Sequence, residues 1–238
     1  MTTPATDLYE QADAETAPLL RRFVLEHPFV AGILGGQLTR PAYAAYLRET
    51  YHLVRQTPRY LAAAAARADE PWLRDWFLDL AVDERGHDKL CVHDLRKMDI
   101  APEPFLAGQP GLGSWTMISQ NHFLATSADP AGILGFAVAT EGLGASLAVR
   151  AARAMQRYDF ARPAMSFLKV HSTEDQDHIA RARQAFNRCA DVPERRELML
   201  AAWKYTLRAY GQLFSDALAG GDGDASAPPA GVGAADAR

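Results

Sequence analysis

An all-α helical bundle is the fold class that the sequence predicts, and three observations predict it. Every long segment carries apolar residues at helical spacing. No run alternates with the two-residue period of a half-buried strand. Proline repeatedly opens a periodic run, where its fixed φ suits the first turn. The pattern gives about seven or eight helices in one domain. With 48% hydrophobic residues over 238 positions, the chain has ample material for a core.

Helical spacing runs first from Leu8 to Glu26, where His27-Pro28 stops it. Thr39-Arg40-Pro41 reads as an N-cap followed by proline and opens a helix to about Arg67. Within it, the alanines from Ala62 to Ala66 permit close helix packing. Pro71 opens a helix to about Met98. Pro102, Pro104, Pro110, Gly111 and Gly113 mark a loop, and a helix follows from Ser114 to Thr126. Asp129-Pro130 opens the next to Tyr158, Arg162-Pro163 another to Cys189, and Pro193 the last to Leu218. From Gly220 the chain is Gly, Ala, Asp, Ser and Pro, too poor in apolar surface to offset ordering entropy. The expected organisation is a helical domain over 1–219 and a disordered tail over 220–238.

Composition excludes several function classes. Net charge is −4 and no basic block stands out, which argues against nucleic acid as a partner. No Rossmann or P-loop glycine fingerprint occurs. No apolar stretch reaches the ~18 residues that span a bilayer, so no membrane is expected. Met1 to Glu10 is polar and acidic, unlike a signal peptide. Cys91 and Cys189 form no CxxC pair, which suits a reducing cytoplasm. A homodimer is compatible with all of this.

The chemistry-bearing residues fall on three expected helices. His171, Asp175 and His178 stand at i, i+4 and i+7, within roughly 60° on one helix face. Glu84 and His87 stand at i, i+3, the Glu-x-x-His unit of di-metal carboxylate bundles. Glu141 stands in the apolar run Gly135 to Gly144, where a buried carboxylate must be paired or bind metal. An ion pair with Arg150 is the plain alternative for Glu141. Three carboxylates set against two divalent ions nearly balance in charge; without metal they would repel. Glu49 and His52 form a further i, i+3 pair that could add a ligand or line the pocket, or could make an ordinary interhelical contact. His93, about 120° around the helix from His87, reads as surface or interhelix. Asp83 and Asp88 read as solvated, and Glu174 and Asp177 as solvated or supporting the ligands. Tyr51, Trp115, Phe123 and Phe136 could wall the pocket, although plain core packing is the commoner fate of such residues. His27 and His122 read as structural.

Glu84, His87, Glu141, His171, Asp175 and His178, in this order, resemble the haem-oxygenase-like di-iron oxidases and oxygenases. That family shares its fold with haem oxygenase, TenA-type thiaminase and the PqqC oxidase. The resemblance covers about Tyr9 to Leu218. It implies a haem-oxygenase-like bundle, two Fe(II) ions held by those six residues, and O2 as co-substrate. An Fe/Mn pair is compatible with the same ligands. Some members place six residues between the first Glu and His, which would fall on Leu80; the tighter spacing here resembles the fatty-acid decarboxylase branch, in which a carboxylate such as Glu49 can join the site. The implied substrates are small metabolites: fatty acids, amino acids or amines, undergoing C–H cleavage, oxidative decarboxylation or N-oxygenation. A TenA-type hydrolase would instead need a nucleophilic cysteine, for which Cys91 is the candidate. A haem protein would need one axial histidine and would leave the carboxylates unexplained. A non-catalytic helical interaction protein would leave all six idle.

Overall fold

In the computed structural model, residues 7–222 are described, with the side chains of 174–176 and 222 excepted. Asp7 caps α1 (Leu8–Leu20) by accepting from Glu10 N–H, and a π-helical turn (Arg21–Leu25) extends it. Pro28 both ends this run and starts α2 (Pro28–Gly35), a helix the periodicity did not reveal. Its N-terminus is capped by His27, and Gly36 closes it at φ 85°. Thr39 caps α3 (Arg40–Val54) as expected. The expected single helix to Arg67 is broken: Pro58, which cannot donate within a helix, sits in the first turn of α4 (Thr57–Arg67).

The expected helix from Pro71 to Met98 is likewise two, α5 (Pro71–Asp83) and α6 (Asp88–Lys97). Residues 84–87 form a turn between them, with Gly86 at φ 98°. A four-residue helix, α7 (Pro102–Phe105), lies in the expected loop, and α8 (Leu112–Thr126) follows. A 3-10 turn (Pro130–Gly132), α9 (Ile133–Leu143), a π-helical stretch (Gly144–Ala148) and α10 (Val149–Met155) make up the next run. The long helices α11 (Ser166–Ala190) and α12 (Pro193–Asp222) complete the bundle, and the described residues contain no strand.

Three points bear on the expected organisation of the chain. The expected domain boundary at residue 220 falls inside α12, where Gly220 and Gly221 pack on α3: a Cβ on Gly221 would come within 2.8 Å of Ala42 Cα. Residues 223–238, the rest of the expected tail, lie outside the described residues. One helical run, Pro130–Met155, is long and apolar enough to cross a membrane by length and composition, contrary to the expectation of none. It carries Glu141, Arg150 and Arg153, and 61% of its most apolar window is buried inside the bundle.

Packing places the site. α12 runs against α3, α8 and α9, and α11 runs against α9, α6 and the π-helical stretch. The start of α11 is fixed by α6. The fully buried Asp94 accepts from Ser166 N–H at 2.9 Å and from Phe167 N–H at 3.0 Å, satisfying two of the N–H groups a helix start leaves open. Tyr43 O–H donates to Ala164 O at 2.7 Å and ties the preceding residues to α3.

Candidate metal centre

The turn after α5 brings the first two site residues together. Glu84 Oε2 accepts from His87 Nδ1 at 3.2 Å, so the i, i+3 pairing holds although the residues lie in a turn and not on a helix face. Glu141, on α9, and His171 and His178, on α11, come to the same place. One ligand atom from each of Glu84, His87 and His171 lies within 4.8 Å of the others, and so does one from each of Glu84, Glu141 and His178. Glu84 belongs to both groups. Glu84, His87, Glu141 and His178 are only 6%, 9%, 7% and 7% exposed, and His171 is half-buried. Asp175, read as the sixth member, lies among the side chains outside the described residues.

Electrostatics in the cluster are those of acids surrounded by imidazoles. Burial alone would raise the Glu84 carboxyl, but the His87 hydrogen bond and the charges of His87, His171 and His178 bring it below its ordinary value. Glu141 beside Nδ1, at 3.4 Å, raises His178 above the usual imidazole range against the effect of burial, with Glu84 and Asp83 adding to the shift. Arg150, the alternative partner of Glu141, is exposed. His171 Nδ1 donates to Phe167 O at 2.8 Å, which leaves Nε2 as its ligand atom, and its ring stacks on Phe167 at 4.0 Å. The His87 and His171 rings meet edge-on at 4.9 Å.

Glu49 and His52 do not join this cluster. Glu49 accepts from Gly111 N–H and from Arg48 Nη1, both at 2.7 Å, so its carboxylate holds the start of α8. His52 is buried outside the cavity, with its ring against Tyr51. The expected aromatic wall is also corrected. Phe136 lines the cavity, but Trp115 and Phe123 are exposed and Tyr51 lies elsewhere. Asp83, read as solvated, stands 3.5 Å from His178 Nε2.

A family model described as "Iron-containing redox enzyme" matches residues 44–211. The chain belongs to that family. The matched span contains every described residue of the cluster. Among curated relatives, a 4-aminobenzoate synthase of Chlamydia muridarum is 28% identical over 102 residues, 41% of this chain and 43% of that protein. One of Chlamydia trachomatis is 29% identical over 93 residues, 37% and 40% respectively. The chain thus spans about two fifths of the length of each. The fold is haem-oxygenase-like. A haem-oxygenase-like domain of unknown function from Shewanella denitrificans superposes with TM-score 0.81 at 20% identity, covering 89% of this chain and 92% of that one. A TenA homologue from Pyrococcus furiosus gives 0.75 at 14% identity, covering 88% and 99%.

For an iron-containing redox enzyme, the donor set fits the metal: imidazole and carboxylate suit Fe(II), and buried acids need positive charge. The cluster opens on a cavity of about 140 Å³. Its lining includes the carboxylates of Glu84 and Glu141, the imidazole of His171, and apolar walls such as Phe29, Phe136, Phe214 and Ile133. Among the described residues, no lysine or arginine lines it.

Proposed function

We propose that this chain is a non-haem di-iron oxidase or oxygenase that uses O2 to oxidise a small, largely apolar metabolite. The observation that carries this reading is Glu84, whose carboxylate lies within reach of two separate ligand groups, as a bridging ligand would. Glu84, His87 and His171 would hold one ion, and Glu84, Glu141 and His178 the other, with Asp175 as the remaining ligand of the set. Iron, when bound, would supply electrons to O2, the source of the oxidising equivalents. The chain's own part is placement. Phe167 O fixes the His171 ring, the turn at 84–87 aims Glu84 inward, and the apolar walls exclude water from the reacting end.

Among fatty acids, amino acids and amines, the cavity favours substrates with one apolar body and one polar end. A zwitterion would bring two charges into a space without a lysine or arginine to meet a carboxylate away from the metal end. A TenA-type hydrolysis through Cys91 is disfavoured, because burial, with Asp94 and Asp88 nearby, pushes that thiol well above its ordinary value. A cytoplasmic location is part of the proposal and rests on two free cysteines.

The test is anaerobic Fe(II) loading, removal of excess metal and iron analysis. Wild type should hold up to two irons per chain. Glu84→Ala should lose both, because it belongs to both groups; His178→Ala should lose mainly one. Equal iron retention by wild type and the triple variant of Glu84, Glu141 and His178 would sink the reading. O2 exposure with candidate fatty acids and amines then identifies the substrate class by a substrate-triggered transient absorption.

A further inference from the structure

An imidazole that binds a metal through one nitrogen carries its proton on the other, and the group that accepts that proton's hydrogen bond sets the ring's tautomer and direction. His171 shows the arrangement through a backbone carbonyl: Nδ1 donates to Phe167 O, and Nε2 is left for the cluster. His178 is turned the other way. Its Nδ1 lies 3.4 Å from Glu141 Oε2, inside the cluster, and its Nε2 lies 3.5 Å from Asp83 Oδ2.

We propose that Asp83 is the positioning residue for His178, accepting from Nε2–H so that Nδ1 faces Glu141 in the cluster. The proposal rests on the metal-centre reading above. Asp83 is the last residue of α5, directly before Glu84. The turn that carries Glu84 into the cluster therefore leaves Asp83 beside α11. Its carboxylate is itself held: Arg181, three residues beyond His178 on the same helix, places Nη1 3.1 Å from Asp83 Oδ2, and its Nη2 stands 3.6 Å from Asp79 Oδ2. The chain Arg181–Asp83–His178 runs from a half-exposed guanidinium to an imidazole that is almost fully buried. Asp79 touches the same arginine without a contact to the histidine, so it reports what loss of an arginine partner alone would do.

The test compares Asp83→Leu, Asp83→Asn and Asp79→Asn with wild type in two measurements. The first needs no metal. In 15N–1H spectra of metal-free protein, the His178 Nε2–H resonance, assigned by its loss in His178→Gln, should be present in wild type and D79N. It should persist in D83N, whose amide oxygen still accepts, and broaden beyond detection in D83L. The second is Co(II) titration read by its visible absorption. D83L should bind ~10–100-fold more weakly, the usual cost of removing a group that orients a ligating histidine, with D83N intermediate and D79N close to wild type. The proposal is overturned if D83L keeps the resonance, binds Co(II) as wild type does, or is matched in its loss by D79N. Melting curves of the metal-free variants check folding, and Asp83→Ser replaces D83L should that variant not fold. A wild type that binds neither Co(II) nor Fe(II) sinks the di-iron reading instead. It withdraws the metal-directed role with that reading, while the Nε2–H resonance separately decides whether the Asp83–His178 contact exists.

Discussion

Burial, with Arg48 and Arg55 adding repulsion, pushes the His52 imidazole down to about 4. The folded state therefore keeps His52 neutral where the unfolded chain, titrating near 6.5, would protonate it. Between those values the unfolded chain binds more protons, so this stability is present above about 6.5 and is lost as pH falls toward about 4. The slope from one such group is at most about 1.4 kcal/mol per pH unit. Urea unfolding at pH 7.5 and pH 5 should show wild type losing more stability on acidification than His52→Gln; equal losses would refute the account. Two histidines of one sequence thus take opposite shifts, His52 down beside arginines and His178 up beside Glu141. Sequence spacing alone separates such cases only where the partner is local. Glu84 with His87, and His171 with His178, were legible because they are near neighbours along the chain. The use of Glu49 was not, because its partner Gly111 lies 62 residues away. Asp83 was missed for a related reason: its contact to His178 crosses from α5 to α11.

Helix identity is local and was largely legible, whereas helix interruption depends on particular residues and on the packing around them. The periodicity of 71–98 carries no mark of a break beyond Gly86, and an isolated glycine is compatible with a helix. In the fold, Gly86 at φ 98° makes the turn, and a Cβ there would meet nothing within 4 Å. Gly86→Ala therefore isolates backbone strain, expected to cost on the order of 1–3 kcal/mol. Because that strain sits between Glu84 and His87, Co(II) affinity should fall with it. Unchanged stability and affinity would show that the turn tolerates a side chain. The start of α11 tests a cap that comes from another helix. Pro163 suggested a start there, but the helix begins at Ser166, where Asp94 accepts two N–H groups. Asp94→Ala leaves both unsatisfied in a buried setting, and at about 1.5–3 kcal/mol for a hydrogen bond to a charged group, a loss of a few kcal/mol is expected in chemical denaturation. Asp94→Asn keeps one acceptor and should fall between. The loss should also loosen Phe167, and with it the carbonyl that orients His171, so the alanine variant should weaken metal binding as well as the fold.

For the molecule as a whole, the cavity is a stability cost that helix pairing alone would not require. The cavity of about 140 Å³ beside the cluster forgoes packing contacts that a filled core would make. A bundle selected only for packing would gain stability by closing it. Ala151 tests this away from the ligands, because it lines the cavity from α10, is 5% exposed and lies outside both ligand groups. Ala151→Leu adds three carbons to that space, at about 0.8 kcal/mol for each buried methylene. The metal-free variant should melt a few degrees higher, since about 1 kcal/mol corresponds to roughly 2–4 °C in a domain of this size. Iron retention after anaerobic loading should match wild type. With iron loaded anaerobically, an aliphatic carboxylate such as decanoate at saturating concentration should raise the wild-type midpoint and leave the variant nearly unmoved, because a ligand stabilises only the state whose cavity it can enter. A variant that melts lower would mean that the walls cannot accommodate the added carbons. A wild type that decanoate does not stabilise would remove aliphatic acids from the substrate classes and leave apolar amines. Higher stability, unchanged iron and lost ligand response together would show that the space beside Glu84 and Glu141 is kept for a substrate.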